Sequence, residues 1–293
     1  MAIDAGKGEK KKLGVQEIRM SDKSCTMRNS NVVVSPYWKS IETVDFLLDN
    51  LDATDGVRNP IRKTVGFPET IISEVELSAT TPHVNAFKVQ SRNAADDYSV
   101  NWVAISGKDD EPGYISRAKT WDEERAHDPK VATPGLGGSK IIVASSKWIR
   151  PGAAAAGIGG GAGFVELVAP DGKVWSKNKQ KGYHVNCLAV APGNFQIKGG
   201  PRVGEWIQAG RERKHRYGLE IRFAPQFTAT PIVVLSPRTI GAGVSISSIS
   251  SISSIQKPDT IVYVDKERCI VWSQNLSYWV NWIAVGPQPQ PVK

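Results

Sequence analysis

The chain has 293 residues, which is enough for two or three domains that each bury a core. Apolar residues make up 40% and charged residues 23%, a balance that excludes an intrinsically disordered chain. The formal net charge of +8 permits binding of phosphate, anionic glycans or an acidic protein surface without choosing among them. Val, Ile and Trp outweigh Leu and Met, and 27 Gly and 18 Pro punctuate the chain, so short strands are favoured over long helices.

The chain divides by composition into six segments. In order they are a basic N-terminal arm (1–22), a β-unit with an insertion (23–108), a polar linker (109–130), a second β-unit (131–195), a third β-unit (196–287) and a C-terminal tail (288–293). The insertion, residues 40–74, holds the main segment that favours a helix. The second unit has a glycine-rich segment (151–163) in the corresponding place, and the third unit has a Ser-Ile tract with a period of three (241–255). We expect these segments to be loops at one rim of each β-unit, where binding residues often lie.

All three units close on the same strand motif. An octamer that begins at Tyr98 recurs at Tyr183 and again at Tyr278, and Tyr, Val, Asn and Ala keep their relative places each time. Each octamer follows a β-branched run that ends at Ser and a turn, with one or two hairpin strands between the two. The pattern predicts an all-β fold of three tandem small antiparallel β-sandwich units, called repeats 1, 2 and 3 below.

The closing motif carries apolar residues on both faces of its strand, which indicates a strand buried on both sides. Its recurring asparagines are Asn101, Asn186 and Asn281. A buried amide must be hydrogen-bonded, so we interpret these residues as fasteners of a turn or a ladder rather than as ligand contacts.

Three strand sequences of repeat 3 resemble those of the H-type lectin domain, the family of snail agglutinins and the C-terminal domain of discoidins. They are Pro-Ile-Val-Val-Leu-Ser from Pro231, Cys-Ile-Val-Trp from Cys269 and Val-Asn-Trp-Ile-Ala-Val from Val280. The likeness is best between Arg222 and Gly286. The resemblance implies a small antiparallel β-sandwich that assembles as trimers and binds N-acetylgalactosamine-type sugars at subunit edges.

The resemblance also implies which residues contact sugar: an aromatic residue on the strand before the closing one, and the polar residue after it. The candidate ligand-binding residues are Trp175, Ser176, Trp272, Ser273 and the neighbouring Gln274, together with Arg238 in the loop after Ser236 at the end of the first strand of repeat 3. An indole face stacks on the C–H bonds of a sugar ring while polar neighbours bind its hydroxyls. The alternative is that these tryptophans pack inside a unit or between units.

No catalytic set is visible, so enzymatic activity, a cofactor and a metal are not expected. The 4 His residues lack zinc-ligand spacing, and no repeated position supplies paired carboxylates. The glycine run lacks the pattern of a phosphate-binding loop. No run approaches the roughly 20 apolar residues of a membrane helix, and the charged first residues do not form a signal peptide. We expect a cytoplasmic protein, one exported by another route, or part of a particle.

Two functions therefore remain open. The first is multivalent carbohydrate binding, with the three repeats forming a pseudo-trimer within one chain or the chain forming a homo-oligomer. The second is a structural assembly protein of a virus or phage particle, or of another large complex. The cluster from Arg211 to Arg216 is interpreted as surface or interface charge, because no recognition helix accompanies it and nucleic acid is not an expected partner.

Overall fold

A computed structural model describes residues 12–19, 24–25, 30–38, 78–83, 86–90, 98–106, 115–120, 140–148, 166–168, 174–176, 183–197, 204–215, 217–238, 259–273 and 278–289. Within these ranges the regular elements are strands and none is a helix, which confirms the predicted all-β class. The described part of the chain accordingly contains no helix of the length and hydropathy needed to cross a membrane. The segment predicted as helical, the glycine-rich excursion, the Ser-Ile tract and Gln274 lie outside the described residues.

Each repeat contributes a consecutive series of strands. Repeat 1 forms β1 (Lys12–Arg19), β2 (Ser24–Cys25), β3 (Ser30–Trp38), β4 (Ser78–His83), β5 (Ala86–Gln90) and β6 (Tyr98–Ser106). Repeat 2 forms β7 (Ile115–Thr120), β8 (Ile141–Trp148), β9 (Glu166–Val168), β10 (Val174–Ser176) and β11 (Tyr183–Val190). Repeat 3 forms β12 (Gly193–Gln196), β13 (Trp206–Lys214), β14 (Gly218–Arg222), β15 (Ile232–Arg238), β16 (Thr260–Val264), β17 (Arg268–Trp272) and β18 (Tyr278–Gly286).

Two strands lie in segments for which no strand was predicted. β1 falls within the predicted basic arm, and β7 falls within the predicted polar linker. Each pairs antiparallel with the closing strand of its repeat and lies at the edge of its sheet. Edge strands carry charged side chains because one side of the strand is not covered by a neighbour. β1 carries Lys12, Glu17 and Arg19, and β7 carries Arg117 and Lys119, so the sequence of each strand is also typical of a solvated tail or linker.

The described strands form three six-stranded sheets, and each sheet joins strands of two repeats. Sheet 1 has the order β1-β6-β3-β16-β17-β14, sheet 2 has the order β7-β11-β8-β4-β5-β2, and sheet 3 has the order β12-β13-β18-β15-β9-β10. The exchange is cyclic: repeat 3 extends sheet 1, repeat 1 extends sheet 2, and repeat 2 extends sheet 3. At each join the two strands run parallel, whereas the other described strand pairs are antiparallel.

Two cores result from this arrangement. Inside repeat 3, the β13-β18-β15 part of sheet 3 packs face to face with the β14-β17-β16 part of sheet 1, around residues such as Phe223 and Trp282. A second core collects equivalent residues from all three repeats, among them Val33, Val143 and Val234, each two positions before a serine. β18 contributes to both cores from its two faces, so the predicted burial of the closing strand on both sides is confirmed for repeat 3.

Candidate functional site

A row of polar side chains joins repeat 3 to repeat 2. Ser236, Asn281 and Arg211 lie side by side on β15, β18 and β13. Ser236 Oγ accepts from Ala144 N at 2.8 Å and donates to Ala144 O at 2.9 Å, Asn281 Nδ2 donates to Ile142 O at 2.9 Å, and Arg211 Nη2 donates to Lys140 O at 2.9 Å. Ser236, Asn281 and Arg211 lie on three neighbouring strands, but their partners Ala144, Ile142 and Lys140 are alternate residues of one segment, at and immediately before the start of β8. β8 therefore crosses sheet 3 instead of running along it.

The same contact recurs between repeats 1 and 3. Ser35 Oγ accepts from Leu235 N at 2.8 Å, and Asn101 Nδ2 donates to Val233 O at 3.1 Å. Leu235 and Val233 occupy the same places relative to the serine of their own repeat as Ala144 and Ile142 do in repeat 2. Asn101 and Asn281 are thus structural fasteners, although their bonds join different repeats rather than a turn or a ladder within one, and the side chain of Asn186 lies outside the described part of the chain.

Arg211 has no counterpart at the contact between repeats 1 and 3. The residue opposite Asn281 is Arg211, which donates from Nε to Asn281 Oδ1 at 2.8 Å. The residue opposite Asn101 in register is Glu17, a residue type that has no donor when ionised. Within the described part of the chain, Asn101 Oδ1 is buried and has no hydrogen-bond partner.

Two of the predicted sugar contacts, Trp272 and Ser273, lie in the interior. Trp272 is 1% exposed and Ser273 is 0% exposed. Ser273 Oγ and the hydroxyl of Tyr278 share a hydrogen bond of 2.8 Å. Stacking on a sugar requires an exposed indole face. The placement of these two residues therefore fits the packing alternative and does not fit the predicted role in sugar binding.

Ser273 and Tyr278 belong to a buried polar network that is completed by Lys214 and Asp259. Lys214 Nζ donates to Ser273 O at 3.0 Å and lies 5.4 Å from the centroid of the Tyr278 ring. The Tyr278 hydroxyl donates to Asp259 Oδ1. Burial raises the pKa of Asp259, and burial lowers the pKa of Lys214 to about 8 while the nearby Asp259 carboxylate opposes that shift. Because all four side chains are enclosed, the network ties strands together rather than offering groups to a ligand.

Arg238, Trp175 and Ser176 are brought together where sheet 3 passes from repeat 3 to repeat 2. Arg238 ends β15 and pairs in register with Val168 on β9. Val168 pairs in turn with Val174 on β10, the strand whose next two residues are Trp175 and Ser176. Three predicted site residues from two repeats thus lie in one sheet, on β15 and β10 with β9 between them, whereas the tryptophan–serine pair of repeat 3 lies at the end of β17 in sheet 1.

Sheet 3 carries a basic and aromatic surface where β13 and β15 end and β18 begins. We call this surface the junction face, and it consists of Arg211, Arg213, Arg238 and Trp279. Arg213, Trp279 and Arg238 are register partners across three strands, so their side chains leave the same face of the sheet as Arg211, two residues before Arg213. Arg213 is exposed and the other three are partly exposed.

The two partly buried arginines repel each other. Partial burial, together with repulsion from Arg238, lowers the pKa of Arg211 to about 10, and partial burial lowers the pKa of Arg238. Among the described residues, the ion pairs of 4.0 Å or less join Glu220 and Asp265 to Arg222 and Arg268, and neither Arg211 nor Arg238 has a carboxylate partner. Among the described residues, the junction face therefore combines two arginines that have no carboxylate within 4.0 Å with an accessible indole.

Sequence reasoning identified Arg238 but did not select Arg211 or Trp279 as site residues. Trp279 lies in the closing motif, where an apolar residue is expected to be core. Arg211 lies on β13, opposite the recurring asparagine of the closing strand. Predicting a strand at this segment and pairing it with the closing strand would have selected Arg211, but its run of charged residues favours a solvated charge cluster. The described residues contain no group of three or more His, Cys, Asp or Glu side chains arranged to hold a metal ion. Comparison of the chain with protein-family models, curated proteins and solved structures finds no match.

Proposed function

We propose that the chain is a non-enzymatic carbohydrate-binding protein of lectin type, with a ligand site on the junction face. The observation that carries the proposal is Trp279, which is partly exposed and lies in register between Arg213 and Arg238. Sugar sites combine an aromatic surface for C–H groups with fixed polar donors for hydroxyls. The two arginines supply planar donors, and the indole supplies the aromatic surface.

The position of the junction face supports the proposal. The resemblance to H-type lectins implies sugar binding at subunit edges, and β15, one of the three strands of the junction face, is the strand at which repeat 2 continues the sheet of repeat 3. The cyclic exchange of strands is the arrangement expected of a pseudo-trimer contained in one chain. The predicted residues Trp175 and Ser176 lie on β10 of the same sheet, next to β9, which pairs with Arg238.

A structural assembly protein is the second candidate, and one observation favours it. In repeat 3, the residues that the resemblance assigns to sugar are interior: Trp272 and Ser273 have almost no exposed surface. A repeat that has buried this pair is suited to serve as a packing module of a larger complex, and the strand exchange makes the three modules one unit.

Binding of the purified chain to a broad glycan array tests the proposal. We expect specific glycans to be bound and the signal to fall at least tenfold in Trp279→Ala, because the stacking surface is lost. Trp175→Ala tests the contribution of β10. Arg222→Gln is the matched control, since Arg222 is an exposed arginine on β14, away from the junction face.

The two functions predict different outcomes. Circular dichroism must show that each variant is folded before its array result is interpreted. If the folded wild-type protein binds no glycan, the proposal of carbohydrate binding is wrong and the structural assembly function is favoured. Sedimentation of the wild-type chain over a range of concentrations should then detect large oligomers. If glycans are bound equally by wild type and Trp279→Ala, the site lies elsewhere.

A further inference from the structure

We infer that the junction face holds one site per chain for the acidic group of a saccharide, bound between Arg211 and Arg238 beside Trp279. The inference rests on the proposed carbohydrate-binding function and specifies its ligand: a sugar that carries a carboxylate or a sulfate ester. The shared chemistry is a planar or tetrahedral oxyanion, which guanidinium groups recognise with paired hydrogen bonds.

Arg211 is held in place and still has donors to spare. Its Nε and Nη2 donate to two neutral oxygens, the side-chain oxygen of Asn281 and the carbonyl of Lys140. A guanidinium has five N–H groups, so these two bonds leave donors free for a ligand. Neutral acceptors orient the group without cancelling its charge. A pinned, charged donor loses little conformational freedom when an anion binds.

Arg238 adds a second positive charge to the same small region. It leaves the same sheet face as Arg211, and its charge is close enough to lower the pKa of the Arg211 guanidinium. No described carboxylate compensates either group. Bringing an oxyanion between two partly desolvated cations relieves their mutual repulsion, and partial burial strengthens the attraction relative to a fully solvated surface.

The register of the sheets limits this combination to one of the three repeats. The place of Arg211, opposite the recurring asparagine, is taken by Glu17 in repeat 1 and Thr120 in repeat 2. The place of Arg238, two residues after the serine of the first strand, is taken by Tyr37 and Lys147. Tyr37 is buried in the core of repeat 3. The acidic-saccharide site is therefore single, even though the fold has three similar joins.

The test uses an array of matched glycan pairs, each printed as a neutral form and as its sialylated or sulfated form, with the full-length chain at constant ionic strength. We expect acidic members to be bound at least tenfold more tightly than their neutral partners. Titration calorimetry with the best acidic member should give one site per chain. The sialylated and sulfated arms separate carboxylate recognition from sulfate recognition.

Arg238→Gln should reduce the acidic preference to about twofold or less, whereas Arg222→Gln, which removes the same charge elsewhere, should leave it intact. Arg238→Lys keeps the charge but loses the paired donors, and we expect an intermediate preference. Equal binding of acidic and neutral members by wild type would overturn the acidic site while leaving carbohydrate binding in place, as would an unchanged preference in folded Arg238→Gln. Three equivalent sites by calorimetry would also overturn it. Absence of all glycan binding would overturn the proposed function itself.

Discussion

Asn281 receives a hydrogen bond of 2.8 Å from Nε of Arg211 while its own amide nitrogen donates to the carbonyl of Ile142 in repeat 2. One side chain thus couples the arginine of the junction face to the contact between repeats. Asn101 makes only the second kind of bond, to Val233 O, among the described residues. Asn281 and Asn101 can therefore be compared within one molecule: both the oxygen and the nitrogen of the Asn281 amide are hydrogen-bonded, whereas only the nitrogen of the Asn101 amide is.

Replacement of the two asparagines should cost unequal stability. Asn281→Ala leaves a buried carbonyl and a guanidinium N–H without partners, so we expect the free energy of unfolding to fall by about 2–4 kcal/mol. Asn101→Ala loses one bond but also removes an unpaired buried oxygen, so we expect a loss of about 1–2 kcal/mol. Urea denaturation of both variants measures the difference, and equal losses would contradict the assignment of Arg211 as the partner that distinguishes them.

Gly210 is required by the close approach of Trp282. A Cβ at this position would lie 2.6 Å from Cζ2 and 2.8 Å from Cε2 of the indole. Trp282 packs edge-on against Phe223 in the core of repeat 3 and has little room to move. We expect Gly210→Ala to lower the free energy of unfolding by about 1–3 kcal/mol. Trp282→Phe removes the two clashing atoms, so the double variant should lose less than the sum of the single losses.

The buried Lys214 should make stability depend on pH in the alkaline range. Its pKa is lowered from 10.5 to about 8 in the folded chain. Between these values the unfolded chain binds more protons than the folded one, so stability rises as pH increases from about 8 to 10.5 and falls as pH decreases through 8. The expected rise is on the order of 1–3 kcal/mol.

Urea midpoints measured across this pH range test the role of Lys214. The rise should be absent in Lys214→Met and intact in Lys266→Met, because Lys266 is exposed. Lys214→Met should also destabilise the chain at neutral pH, since Asp259 then remains buried without its cation. Adding Asp259→Asn should restore part of that loss. An unchanged pH slope in Lys214→Met would mean that the lysine is solvated.

The thiols of Cys187 and Cys269 should be inert in the folded chain. Both are buried, and burial raises the pKa of Cys269 well above its ordinary range. The thiolate is the reactive form, so burial opposes modification of both residues, and the raised pKa further opposes modification of Cys269. Peptide mapping after treatment with a thiol reagent should find these two residues unmodified under native conditions and modified in denaturant. Native modification of Cys269 at a rate typical of free thiols would show that repeat 3 opens locally.

The sequence predicts the elements whose apolar residues recur with a clear period. The octamer that begins at Tyr183 matches β11, and the octamer that begins at Tyr278 lies within β18. β1, β7 and β13, the strands that pair with the closing strands of the three repeats, are not predicted from the sequence. Their charged residues, as in the residues before Lys214, are typical of a solvated segment. Strand exchange escapes prediction for another reason: the pairing of Ile261 with Tyr37 joins distant segments, and no local pattern encodes such a partner.

The candidate site was predictable only in part. Arg238 was identified because it follows the serine of a first strand. Trp272 and Trp279 cannot be ranked from sequence, because a tryptophan on a strand buried on both faces has the same local pattern as one that stacks on a ligand. Burial distinguishes them, since Trp272 is enclosed while Trp279 keeps accessible surface. That distinction depends on which strands cover each face, which is a property of the assembled sheets.

The pairing of β3 with β16 has a consequence for synthesis of the chain on the ribosome. Sheet 1 needs β14, β16 and β17 to complete it, and these strands emerge after almost all of repeats 1 and 2. Until then, β3 presents an unpaired edge that is able to pair with β16 of a neighbouring nascent chain. Closely spaced ribosomes on one messenger would therefore favour chains joined to one another through β16, and slower initiation would favour closure of each chain on itself.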